Sequence, residues 1–134
     1  MKTIKYLFIT LFSATVMFSQ GCGGGSSANE TSVANFAGTW SGNILGTNLV
    51  YVITQSGSNI NITRTSPALD GLANRGVVTG NVADVTTYIY GVNGGGATWT
   101  LNSPTSMAVV VTRCNPPAGY SCATPGTTII LNKN

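Results

Sequence analysis

Chemistry in this chain rests on few groups: three cysteines, three carboxylates and six cations, with no histidine among 134 residues. The missing imidazole removes the usual general base at neutral pH and the commonest metal ligand. Acid–base work would fall to Glu30, Asp70 and Asp84. These read as a residue in a polar stretch, a residue in a loop, and a residue at a turn between Val82 and Val85. General acid–base or glycosidase-type catalysis needs two groups held at a defined separation, and no pair is offered here. Aspartate at such places is ordinary turn chemistry. Serine and threonine are plentiful, but none stands beside a histidine or lysine in a nucleophile motif. The residues point away from an enzyme and imply neither cofactor nor metal.

The third kind of group, thiol, leads to the start of the chain. Lys2 and Lys5 precede an uncharged apolar run from Tyr6 to Phe18, and Ser19-Gln20-Gly21 leads to Cys22. That is the layout of an export signal, and the run falls short of the ~20 apolar residues of a spanning helix. The Gly21-Cys22 junction, followed by Gly23-Gly24-Gly25-Ser26-Ser27, resembles the bacterial lipoprotein signal. The resemblance implies cleavage after residue 21 and acyl chains such as palmitate on Cys22. Glycine rather than aspartate after the cysteine resembles lipoproteins sent to the outer membrane of Gram-negative bacteria. Each buried CH₂ contributes ~0.8 kcal/mol, so more than one chain would hold the protein firmly. The alternative is an ordinary secretory signal cut near Gly21, with Cys22 a spare thiol.

Lipidation of Cys22 also leaves Cys114 and Cys122 as an even pair, as an exported chain wants. They flank Asn115-Pro116-Pro117-Ala118-Gly119-Tyr120-Ser121, so oxidation closes a short loop between two strands. The loop-entropy relation gives about 2.5 kcal/mol for so small a ring. A redox role would want C-x-x-C spacing and a lowered thiol pKa, so the pair reads as a staple. The fixed, proline-rich loop with Tyr120 at its tip is a candidate recognition surface, because ordered loops lose less entropy on binding.

Without residues 1–21 the chain keeps Arg64, Arg75, Arg113 and Lys133 against Glu30, Asp70 and Asp84, a formal net charge of +1. The +3 of the whole chain is therefore no nucleic-acid footprint. Charged residues are 7% of the chain, far below the ~25% usual in globular proteins. Threonine, serine, asparagine and glycine supply polarity instead, which suits an exported β-protein. Residues 22–34 carry almost nothing apolar and read as a flexible linker with a mean span of about 20 Å. Residues 35–134 form one domain.

The elements that must position these groups are strands. From Phe36 onward, short apolar or β-branched runs alternate with turn residues, and helical periodicity is missing. Strands are predicted over 38–45, 49–55, 59–65, 76–82, 85–90, 97–102, 107–113 and 127–133. Ser56-Gly57-Ser58, Asn93-Gly94-Gly95-Gly96 and Ser103-Pro104-Thr105-Ser106 are the joints, too short for anything but antiparallel hairpins. Residues 66–75 are open to a bulge or a helical turn. Closing such a meander removes both exposed edges. An all-β, up-and-down antiparallel barrel of about eight strands is the expected fold, with a two-sheet sandwich as the alternative.

Gly38-Thr39-Trp40 opens the first strand, and this G-x-W resembles the start of lipocalin and avidin-like (calycin-type) barrels. The resemblance implies that Trp40 closes one barrel end and that a late cation lies across it. Arg113 shares the parity of Met107, Val109 and Val111 and is the expected partner, at ~0.5–2 kcal/mol for the cation–π contact.

Trp99 is the second large ring and is read as core or ligand contact. Arg64 shares the parity of Ile60 and Ile62, so it points inward near a barrel mouth: either it snorkels to water or it meets an acidic headgroup. Tyr88 and Tyr90 share an outer face and, with Tyr120, form a candidate partner surface. Three functions fit: a lipid-anchored envelope module holding a small amphipathic ligand, a structural or protein-interaction lipoprotein, or an inhibitor of an exported enzyme.

Overall fold

The computed structural model describes residues 32–134, and the Cys22, Glu30 and signal readings lie outside them. Eight strands run in chain order: β1 (Gly38–Ile44), β2 (Thr47–Ser56), β3 (Asn59–Ser66), β4 (Leu72–Thr79), β5 (Val82–Ile89), β6 (Val92–Ser103), β7 (Ser106–Cys114) and β8 (Thr128–Lys133). Each pairs antiparallel with the next, and β8 returns to β1, so the sheet is a closed barrel. The sandwich is not adopted, and no helix occurs among the described residues. Closure rests on a short seam: Trp40 opposite Lys133, Ser41 opposite Asn132, and Gly42 opposite Leu131. Gly42 is required there, since a Cβ would run into the carbonyl oxygen of Ile130.

Period-two alternation decides what fills the interior. Trp40, Ile53, Ile60, Ile62, Val78, Val85, Trp99, Met107, Val109 and Leu131 form one buried cluster with Phe36. The opposite set, including Asn61, Thr63, Asp84, Asn102 and Thr112, is exposed. Phe36 precedes β1 and is wholly buried. Gln55 holds it: its Oε1 accepts from the Phe36 backbone N–H at 2.7 Å, and its Nε2 donates to the Ala34 carbonyl at 2.9 Å. The segment before β1 thus crosses one end of the barrel and plugs it.

Two strand assignments need correction. β4 starts at Leu72 rather than at 76, and the turn into β5 falls at Gly80-Asn81. Its inward positions include Asn74 and Gly76, which hide the apolar alternation. Asp84 consequently lies within β5, opposite Val77, and not in a turn. The Gly94-Gly95-Gly96 run belongs to β6, and the joint is the tighter Tyr90-Gly91. Residues 66–75 hold a turn with an isolated Thr65–Ala68 bridge and no helical element.

Candidate functional site

Because the strands alternate in direction, the two barrel ends receive different residues. The start of β1 and the end of β8 lie at the plugged end. There the indole N–H of Trp40 donates to the Phe36 carbonyl at 2.9 Å, and the ring is fully buried. The cation over it is Lys133, with Nζ 5.3 Å from the ring centroid. Arg113 is not the partner of Trp40. β7 runs upward beside β6 and delivers its last residues to the opposite end, and Thr112, an extra residue in the β6–β7 register, turns the Arg113 side chain to the outer face over Gly96. Lys133, at the end of a downward strand directly paired with β1, is the cation in reach. The expectation that a late cation covers the tryptophan holds in kind but not in residue.

The other end is open, and a cavity of about 330 Å³ lies in it. Ile44, Leu49, Ile89, Val109 and Ile129 supply apolar wall, while Tyr51, Arg64, Asn74, Thr87 and Arg113 supply polar groups. Trp99 lines the same cavity and meets Tyr51 edge-to-face, with centroids 5.3 Å apart. Of the residues singled out from sequence, Arg64 and Trp99 therefore come together here, Arg113 borders the cavity through its backbone carbonyl beside Gly95, and Trp40 sits apart at the plugged end.

Space for the cavity comes from the glycines of β6. All three glycines are buried: Gly95, opposite the cavity-lining Thr87, and Gly94, against Ile89, leave the mouth side bare, while Gly96 alternates to the outer face. A Cβ on Gly96 would sit 2.8 Å from an Arg113 guanidinium nitrogen, so the arginine lies directly over that glycine. The register shifts there, with Gly96 opposite Arg113 and Ala97 opposite Val111. Such a bulge re-aims the strand next to it.

The disulfide forms between Cys114 and Cys122, with Cα atoms 5.8 Å apart. The loop it closes is not peripheral, since Ser121, Cys122 and Ala123 form part of the cavity wall.

Electrostatically the mouth is one-sided. Arg64 is the cation whose side chain faces it, and among the described residues no carboxylate lines it. Arg64 is oriented by its Nε–H, which donates to the Pro67 carbonyl at 2.9 Å. Burial pushes the Tyr51 phenol above its ordinary 10.0, against the opposing pull of the neighbouring Arg64 guanidinium. Tyr51 is thus a neutral hydroxyl at physiological pH. Thr87 donates its hydroxyl to Asn74 Oδ1 at 2.7 Å, which leaves the Asn74 amide N–H groups to be offered elsewhere. The indole N–H of Trp99 is buried without a hydrogen-bond partner among the described residues. An orphaned buried donor costs about 1–3 kcal/mol, so native structures rarely keep one without cause.

The outer tyrosines divide. Tyr88 lies on the barrel wall under Arg75, whose guanidinium carbon is 5.9 Å from the ring centroid. Tyr90 and Tyr120 meet at the rim of the open end, 6.1 Å apart and edge-to-face. Asp70 stays in the β3–β4 loop and Asp84 on the outer wall, so the two domain carboxylates do not form a pair at the cavity. Sequence reasoning misses Tyr51, Asn74, Thr87 and the β6 glycines. Tyr51 was within reach, since it alternates with Leu49 and Ile53; Asn74 was not, because its strand carries no clean apolar period.

The class that fold and cavity define is a small antiparallel barrel plugged at one end and open at the other, consistent with a calycin-like architecture. No protein family, curated protein or solved structure matches the chain.

Proposed function

We propose that this protein is a lipid-anchored binding module of the bacterial cell envelope that holds a small amphipathic ligand in its open barrel end. The observation that carries the reading is the cavity of about 330 Å³, whose wall is apolar with a few convergent polar groups. That mixture, at the low end of the ~300–1,000 Å³ of ligand sites, is the usual signature of small-molecule binding. Native mass spectrometry of protein extracted from its own membrane tests it. A co-purified small molecule, lost when the cavity-lining Thr87 is replaced by a bulky residue in a variant that still folds, supports the reading; a bare chain with an empty binding profile across amphiphile libraries defeats it.

The anchoring part rests on the Gly21-Cys22 junction. Cys22→Ser should abolish acyl labelling and release the protein from membranes. A variant that is still labelled and still sediments with membranes removes the anchor from the proposal.

One observation favours a second reading, an envelope protein that binds another protein at the rim. The turn tips of the open end carry Leu45, Leu69, Tyr90 and Tyr120, all exposed, with Leu45 and Tyr90 in the left-handed backbone region at φ 49 and 46. Turn tips at the plugged end are Gly57-Ser58, Gly80-Asn81 and Pro104-Thr105. Large side chains at positive φ are disfavoured in turns, so their use at one end only is a feature to explain. Crosslinking in intact cells from Tyr120 separates the readings by showing whether a protein adduct forms.

A further inference from the structure

Strands in register set side chains from distant parts of the chain in rows on the outer wall, and one row stands out. From β3 to β7 it runs Asn61, Arg75, Thr86, Gly96 and Arg113, each directly opposite the next. These positions alternate with the buried Ile62, Asn74, Val85 and Ala97, so they face away from the interior. Arg113 joins the row because Thr112 is an extra residue in the β6–β7 register, which turns the arginine outward over Gly96. The row thus holds two full positive charges and no large apolar side chain.

The two arginines belong to β4 and β7, three strands apart, which puts about 14 Å between their backbones at ~4.8 Å per strand. Their side chains lean toward the strands between. Arg75 lies against the Tyr88 ring of β5, its guanidinium carbon 5.9 Å from the centroid. Arg113 reaches back over β6, where a Cβ on Gly96 would sit 2.8 Å from a guanidinium nitrogen. A ring face and a bare glycine support these groups without neutralising them. A guanidinium presents five N–H donors in a planar fork and accepts none, so each looks for an oxyanion. Asp84 lies one row nearer the plugged end, with Val77 and Thr98 as its cross-strand neighbours and not an arginine.

The rest of the row narrows the partner. A protein hot spot wants an apolar or aromatic anchor in a pocket, and here the wall between the charges is Thr86 and Gly96. Single-stranded nucleic acid wants free aromatic platforms for its bases, and the Tyr88 face is taken by Arg75. What remains is a shallow surface with an amide at Asn61, hydroxyls at Thr86 and Thr112, and two spaced guanidiniums. Hydroxyls with oxyanions at intervals along a chain complement that surface. We propose that the outer wall across β3 to β7 binds an acidic glycan, with carboxylate or sulfate groups on Arg75 and Arg113 and sugar hydroxyls on the row between them. The site faces away from the cavity and does not depend on the reading of the preceding subsection.

The test uses the full chain and fluorescence anisotropy of labelled probes of equal length. Hexagalacturonate presents carboxylates, sulfated maltohexaose presents sulfates, and plain maltohexaose is the uncharged control. At least one acidic glycan should bind, the control should not, and added salt should weaken binding because the site is exposed. Arg75→Gln and Arg113→Gln should each cut affinity by up to about fivefold, the scale of an exposed ion pair. Gly96→Ala keeps every charge but pushes the Arg113 guanidinium aside, and should weaken binding too; Asp84→Asn should strengthen it. Lys133→Gln removes the same charge at the plugged end and should leave affinity unchanged. Circular dichroism verifies that each variant is folded. Equal losses in Arg75→Gln, Arg113→Gln and Lys133→Gln would mean diffuse attraction and overturn the site. Equal binding of the uncharged chain, or tighter binding of hexaglutamate or an oligothymidine than of either acidic glycan, overturns the class of partner. Binding of no probe overturns the proposal and leaves the cavity reading untouched.

Discussion

Lys133 Nζ lies 5.3 Å from the centre of the Trp40 ring, across the seam where β8 meets β1. The contact joins the first and last strands of the barrel, so it reports on closure itself. Trp40→Ala should cost about 3–5 kcal/mol as a large-to-small core change. Lys133→Ala should cost less, and the double variant should fall short of the sum because the groups touch. Arg113→Ala, at the other end, should add to Trp40→Ala without coupling. Urea unfolding of the three single and two double variants decides it; coupling of Trp40 to Arg113 instead would contradict the geometry.

Neighbouring glycines of β6 should respond differently to the same substitution. At Gly96 a methyl group meets the mobile end of Arg113 at 2.8 Å, which can swing away. At Gly95 it meets the Arg113 carbonyl oxygen at 2.7 Å, which belongs to the paired strand. Gly95→Ala should therefore destabilise by about 1–3 kcal/mol as overpacking, and Gly96→Ala by less. Thermal melts of the two variants check the order.

Because Ser121, Cys122 and Ala123 wall the cavity, the disulfide should matter to binding as well as to stability. The Cys114→Ser/Cys122→Ser variant should melt lower, by the equivalent of about 2–3 kcal/mol. It should also release amphiphilic probes faster, because its loop is free to leave the mouth. Stopped-flow dissociation measures this; an unchanged off-rate would show that the loop holds its place unaided.

Tyr51 gives a pH dependence with a definite sign. Its folded value is raised above 10.0 by burial, so above pH 10 the unfolded chain loses the Tyr51 proton before the folded one does. The unfolded state then binds fewer protons, and stability falls as pH rises. The loss begins near the ordinary phenol value and continues to the raised folded one. Tyr51→Phe should flatten that alkaline decline. Guanidinium midpoints measured between pH 8 and 11 would reveal it.

Much of the barrel is legible in period-two alternation. Ile60 and Ile62 against Asn61 and Thr63, or Trp99 and Leu101 against Thr98 and Thr100, fix which way each strand faces. Strand direction is equally legible once strands are counted, and it places Arg113 and Lys133 at opposite ends. Parity alone does not carry that information, which is why Arg113 looks from sequence like the partner of Trp40. β4 is the illegible strand, since Asn74 and Gly76 occupy inward places where a period would show valine or leucine. The glycine triplet misleads in the same way: it has the composition of a turn, yet it lies within β6, where Gly94 and Gly95 leave the cavity side bare and Gly96 makes room for Arg113 on the outer face.

The plug has a consequence for presentation. Ala34 donates its backbone N–H to the Gly80 carbonyl at 2.8 Å, so the chain arrives at the closed pole, and β8 finishes there beside Trp40. Both ends of the folded domain leave from one pole. Under the proposed anchoring at Cys22, a tether ahead of Ala34 would hold the barrel by its base and turn the open mouth away from the anchoring surface, so that a guest would enter from the compartment.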